Sequence, residues 1–178
     1  KLIGQRSMSA TRNLLLDVSR LIWRGWTGRL PTGIDRVCLA YVKHYRYHAR
    51  AVVQYRSARF ILSSTHSDDI FSLILEGDDN FKRNISTTIL KSILSLSSTK
   101  IQDNSIYLNL GHTGLDQPNM KIWLKQPGLR PIFLLHDLIP ISHPEYCRSG
   151  EKIKHAHRLQ TILRHGSGIL CNSRATLN

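Results

Sequence analysis

Pro131-Ile132-Phe133-Leu134-Leu135 is an unbroken apolar run that stops abruptly on His136-Asp137. A short continuous apolar stretch between polar boundaries reads as a strand buried on both faces, the habit of parallel sheets. Three more segments share the form: Asn13–Val18 running into Ser19-Arg20, Ser105–Leu110 into Gly111-His112-Thr113-Gly114, and Ser167–Cys171 into Asn172-Ser173-Arg174. Ligands of open parallel sheets bind in the crevice outside the carboxyl ends of the strands. Repetition of apolar strand and polar tip therefore predicts an α/β ligand-binding domain: a Rossmann-like, mostly parallel sheet with helices on both faces.

Between the strands lie helical patterns, as βαβ units require. Ile34, Val37, Cys38, Tyr41, Val42 and Tyr45 form one stripe at helical spacing. Thr32 with Asp35 three residues on resembles a capping box, with Asp where Glu is commoner. This helix is expected to end near His48. Ala51–Arg56 and Ala58–Leu62 read as two short strands. Asp68-Asp69 suit a helix N-terminus, followed by Ile70, Leu73 and Ile74, with Gly77 as the stop. Ile85, Ile89, Ile93 and Leu94 mark another helix, with Asn84 or Ser86 as its cap. Lys121–Lys125 is a helical or extended link. Gly150–Arg164 reads as a helix capped by Ser149 and burying Ile153, Ala156, Leu159, Ile162 and Leu163. Trp23–Pro31, with glycines among aromatics, reads as a loop.

The chain has 178 residues, one domain by size, and 41% hydrophobic residues, enough for a core. Its 25 Lys+Arg against 12 Asp+Glu give a net charge of +13, which fits an anionic partner or a solvated basic surface. The basic residues are spread out, with no run of five, so a nucleic-acid tail is not indicated. Cys38, Cys147 and Cys171 are far apart, odd in number and outside any C-x-x-C spacing; reduced, intracellular thiols fit better than disulfides or a zinc knuckle. No apolar stretch approaches the ~20 residues of a membrane span, and Lys1–Asn13 lacks the apolar centre of a signal peptide. Both ends read as cut: there is no initial Met, and Ser173–Asn178 opens a helix of one turn.

The strand tips are the candidate site. Thr32-Gly33 opens a helix whose free amides favour an anion, and Gly25, Gly28 and Gly33 allow close backbone approach; the alternative is an ordinary capped surface loop. Neither a phosphate-loop motif nor a dinucleotide fingerprint is present. His136 at a strand tip suits a general base or a donor to phosphate, and Asp137 could set its tautomer if the backbone turns them together. Gly111-His112-Thr113-Gly114 offers imidazole, hydroxyl and permissive backbone, or simply a tight turn. Ser173 reads as an N-cap, with Arg174 free to face an anion. His143, Glu145, His155 and His157 are poor metal candidates, the last two facing different sides of a helix; no metal site is expected.

Several of these residues resemble a known family. Leu14-Leu15-Leu16-Asp17-Val18-Ser19-Arg20-Leu21-Ile22 and Pro31-Thr32-Gly33-Ile34-Asp35-Arg36-Val37 look like the N-terminal half of bacterial group 1 glycosyltransferases of GT-B architecture. So do Phe133-Leu134-Leu135-His136-Asp137-Leu138-Ile139-Pro140-Ile141 with His143-Pro144-Glu145-Tyr146, and Gly168-Ile169-Leu170-Cys171-Asn172-Ser173-Arg174-Ala175-Thr176. The resemblance covers both ends of the chain and hardly touches Ser63–Asn104. It implies two facing Rossmann-like domains, of which residues 1–178 are the acceptor-binding one, with the nucleotide-sugar-binding domain missing after Asn178.

By the same resemblance His136 and Asp137 are catalytic. It puts the loop through Gly28, Thr32 and Gly33 at acceptor or donor phosphate and implies no obligatory metal or cofactor; Arg36 and the strand-tip residues Gly111, His112, Thr113, Ser173 and Arg174 complete the expected substrate-binding set. The implied partners are a nucleotide-sugar donor and a carbohydrate or lipid-linked acceptor, met in the cytoplasm or peripherally at the inner face of an acidic membrane, with no nucleic acid. The alternative from another class is a non-catalytic basic α/β module binding nucleic acid or acidic lipid. A stand-alone hydrolase using His136 lacks a G-x-S-x-G nucleophile elbow.

Overall fold

Successive residues of the central strands enter two different cores, which is why their sequences read as continuous apolar runs. The structure, a computed structural model, describes residues 12–77, 79–94 and 100–177. Residues 1–11, read above as lacking a leader, and Asn178 of the terminal helix start lie outside these. Strands β1 (Leu14–Asp17), β2 (Ala49–Tyr55), β3 (Ala58–Ile61), β4 (Ser105–Asn109), β5 (Leu129–Leu135) and β6 (Gly168–Cys171) form one sheet in the order β3-β2-β1-β4-β5-β6. All neighbours are parallel except β2 and β3, a hairpin. The expected Rossmann-like α/β fold is therefore what forms. Progress across the sheet reverses between β1 and β4, the switch point at which such folds open a crevice.

Helices α1 (Ser19–Thr27), α2 (Gly33–Tyr45), α3 (Ser64–Glu76) and α4 (Phe81–Leu94) cover one face. Leu16, Val53, Leu108 and Leu134 meet Cys38, Val42, Phe71 and Ile85 there. Helices α5 (Pro118–Leu124) and α7 (Glu151–His165) cover the other, where Leu15, Val52, Tyr107 and Phe133 meet Met120, Trp123 and Ile162. The short α6 (Ile139–Ser142) and a 3₁₀ turn over Pro144–Tyr146 lead into α7, and α8 (Arg174–Leu177) follows β6.

Several expectations need correction. Trp23–Pro31 is not one loop, since α1 runs through Thr27. Its glycines serve packing and termination. A Cβ on Gly25 would collide with the Phe81 ring, and Gly28 takes the left-handed cap, φ +63°. Such a cap is the common helix stop. Helix α3 starts at Ser64, its Ser63 hydroxyl accepting the His66 amide; Asp68 instead takes the Arg12 guanidinium at 2.6 Å. Asn84 and Ser86 lie inside α4, where the Ser86 hydroxyl donates to the Lys82 carbonyl. Gly150, not Ser149, caps α7. The α7 stripe is also misplaced: Ile153 and Leu163 are 64% and 65% exposed, while Thr161 and Ile162 are buried.

Candidate functional site

A cavity of about 410 Å³ opens outside the carboxyl ends of β1 and β4, at the switch point. Ser19, Arg20 and Trp23 reach it from the first turns of α1, Ile34 from the start of α2, and Gly111–Gly114 from the turn after β4. His155 and Arg158 close it from α7.

Asp35 fixes the α1–α2 side. Its carboxylate, 1% exposed, receives the Thr32 amide (2.8 Å) and hydroxyl (2.7 Å), Arg20 Nε (2.6 Å) and Arg24 Nε (3.0 Å). The expected capping pair thus forms and also collects two cations. Burial alone would raise this carboxyl, but the donors from Thr32 and Arg20 outweigh it and hold the group below its ordinary range. Arg20 Nη2 reaches the Thr32 hydroxyl at 3.4 Å, and its stem packs on Gly111.

Beneath the cavity lies a cluster not anticipated as part of the site. Tyr107 Oη donates to Asp17 Oδ2 at 2.5 Å, and Asn109 Nδ2 donates to Tyr107 Oη at 3.0 Å and to the Thr113 carbonyl at 3.2 Å. Asp17 Oδ1 accepts the Ser19 amide at 2.9 Å. Burial pushes the Asp17 carboxyl up, against the pull of its Tyr107 and Ser19 hydrogen bonds. Burial and the neighbouring Asp17 push the Tyr107 phenol well up, so it remains a donor. Asn109 Oδ1 is buried without a hydrogen-bond partner.

The two histidines form a reciprocal brace. His112, after β4 and at φ +57°, places Nε2 2.5 Å from the Leu134 carbonyl of β5. His136, after β5, places Nε2 2.8 Å from the Leu110 carbonyl after β4. A carbonyl only accepts, so each Nε2 carries a proton, and in a neutral His112 ring Nδ1 is left as the acceptor. The rings meet edge to face at 5.3 Å. Burial lowers the His112 pKa to about 4, with His136 and Arg158 adding to the effect against the Leu134 hydrogen bond. At neutral pH it is an uncharged imidazole.

The sequence-derived residues divide accordingly. His112, Thr113 and Gly111 line the cavity. Thr32 and Gly33 precede the lining residue Ile34 in the chain but are not in the lining themselves. His136 is buried one ring behind, braced against His112. Asp137 does not orient His136; its Oδ1 accepts the Ile139 amide at 3.1 Å, at the entry to α6. Ser173 accepts the Thr176 amide at 3.2 Å, the N-cap expected of it, and Thr176 Oγ1 reaches the His136 carbonyl at 3.4 Å. Gly28, Arg36 and Arg174 are exposed and outside the cavity lining.

His155 and Arg158 were missed as binding residues, although their i, i+3 spacing puts them on one helix face. Arg158 Nε is buried without a hydrogen bond, 4.0 Å from Asp116 Oδ1. Burial, reinforced by Arg158, lowers the His155 pKa, with Glu151 and Asp137 opposing. Among the described residues no group of three or more His, Cys, Asp or Glu is arranged to hold a metal ion, and no helix is long and apolar enough to cross a membrane.

Fold and site together define a Rossmann-like α/β domain with a cationic, histidine-walled cavity at its switch point. Compared with protein-family models, curated proteins and solved structures, the chain matches none.

Proposed function

We propose that this chain is the acceptor-side domain of a retaining, nucleotide-sugar-dependent glycosyltransferase, acting on a cell-surface polysaccharide or lipid-linked acceptor from the cytoplasmic side of the membrane. The observation that supports it most is the cavity at the reversal of strand order, walled by β1 and β4 tips beside the segments that resemble group 1 glycosyltransferases. A second domain, beyond this sequence, would hold the donor.

In such a transfer an acceptor hydroxyl oxygen bonds to the anomeric carbon. The bond from that carbon to the diphosphate breaks, and nucleoside diphosphate departs with the electron pair. The hydroxyl proton leaves to a base. Arg20 and Arg158 supply positive charge near the developing anion. Neutral His112 offers only Nδ1 as an acceptor to a hydroxyl. His136 acts through the brace, positioning the His112 turn.

The test is sugar transfer by the full-length protein from a panel of nucleotide sugars. Transfer is expected, and His136→Ala should lower kcat by ~10²-fold or more, the scale of a lost catalytic group or a misplaced site. His136→Asn, which restores a donor to the Leu110 carbonyl, should recover part of that rate. A near-wild-type kcat for His136→Ala removes the residue from the reaction. No transfer, with binding to polyanions whose logarithm falls linearly with log salt, would favour the basic binding module.

A further inference from the structure

The polar cavity has an apolar neighbour. A groove of about 450 Å³ runs between α1 and α4 over the end of β2, within the ~300–1,000 Å³ typical of small-molecule sites. Ile22, Trp26, Ile89, Leu90 and Ile93 form its walls, and among the described residues none of those lining it is charged. Leu90 is 56% exposed, Trp26 39% and Ile93 42%. Contiguous exposed apolar surface of this kind marks an interaction site more often than scattered single residues do. Both cavities share Ser19 and Trp23 in their linings, so they meet across the first turns of α1. On one side stand Arg20 and Arg158, their carboxylate partners Asp35 and Asp116 lying behind the lining; on the other, the described residues are apolar or neutral polar.

We infer that the two cavities are one site for a single-chain amphiphile bearing a phosphate: its anionic group lies at the strand tips with Arg158 and Arg20, and its hydrocarbon chain passes over Trp23 into the groove between α1 and α4. Charge complementarity selects the head group, and the apolar groove selects the tail. A free sugar phosphate would leave the groove empty, and a neutral alcohol would leave the buried Arg158 Nε with only the Asp116 carboxylate 4.0 Å away and no hydrogen bond. Naming this amphiphile as the acceptor rests on the glycosyltransferase reading; the binding itself does not.

The experiment follows tryptophan emission of the chain during titration with decyl phosphate below its micellar concentration, decanol and inorganic phosphate. Decyl phosphate should bind saturably and at least about 100-fold more tightly than inorganic phosphate, because each buried methylene contributes roughly fourfold. Leu90→Asp and Ile93→Asp change exposed positions outside both hydrophobic cores. Each should weaken decyl phosphate at least about tenfold while leaving inorganic phosphate unchanged. Arg158→Gln should weaken both phosphate compounds and leave decanol unaffected.

Three results would overturn the site: decanol binding as tightly as decyl phosphate, Leu90→Asp and Ile93→Asp both leaving decyl phosphate affinity intact, or binding confined to anionic lipid vesicles with no saturable monomeric ligand. Saturable amphiphile binding without sugar transfer by the full-length protein would keep the site and end the enzyme reading. Transfer to a water-soluble acceptor, with no amphiphile bound, would do the reverse.

Discussion

Two aspartates eighteen residues apart are buried to nearly the same degree, Asp17 at 6% exposed and Asp35 at 1%, and the protein treats them in opposite ways. Asp35, at the start of α2, collects Arg20 and Arg24 as well as Thr32, and its carboxyl is held below the ordinary range. Asp17, at the end of β1, is offered a phenol and one backbone amide, and its carboxyl is pushed up. Burial penalises the charged form in both; only Asp35 has cations in direct contact to reverse the sign. A buried aspartate is thus no single signal. Its partners decide whether it serves as a charged clamp or as a reluctant acid under the ligand cavity.

The largest test of this contrast is Asp35→Asn. Removing the anion leaves Arg20 and Arg24 unpaired, and stability at neutral pH should fall by about 3 kcal/mol. This is the low end for a broken buried pair, because both guanidinium groups partly reach solvent. Urea denaturation measures it; a change below about 1 kcal/mol would mean the clamp is dispensable. Tyr107→Phe comes next. Losing the donor to Asp17 and the acceptor for Asn109 should cost about 2 kcal/mol, the price of buried polar groups left unpaired. An unchanged midpoint would show that water replaces the phenol.

The smallest effect, and the sharpest in sign, is the pH profile. A lowered folded-state pKa gives Asp35 a stabilising contribution present above the unfolded value near 3.8 and lost as pH falls through the lower folded value. A raised one gives Asp17 a contribution present below 3.8 and lost as pH rises through the higher folded value. Relative to wild type, Asp17→Asn should therefore gain stability as pH rises from about 3 to about 7, while Asp35→Asn should lose it over the same interval. Parallel trends for the two variants would break the comparison.

Much of the fold could be read from residue order because its signals are local. The Ile34–Tyr45 stripe with Thr32 and Asp35 contains a start, a period and a buried face within fourteen residues. Double-sided burial made the parallel strands legible as apolar runs. Helix α1 was hidden because Gly25 and Gly28 look like loop residues until Phe81 and the left-handed cap are known. The polar inner face of α7 was hidden behind a plausible aliphatic stripe, so His155 and Arg158 went unassigned. The Asp17–Tyr107–Asn109 cluster joins residues ninety positions apart. A carboxylate inside an apolar strand run hints that such a partner exists, without saying where.

Among the described residues the sheet ends on β6, four residues long, with β5 on one side and no strand on the other. Ile169 and Leu170 on its two faces are 38% and 39% exposed, and no lysine or proline guards the strand. An open edge presents unpaired backbone groups to a further strand, and the shortness of β6 limits how many such bonds could form. A lysine at position 169 would blunt that edge further, at a residue that lines neither cavity.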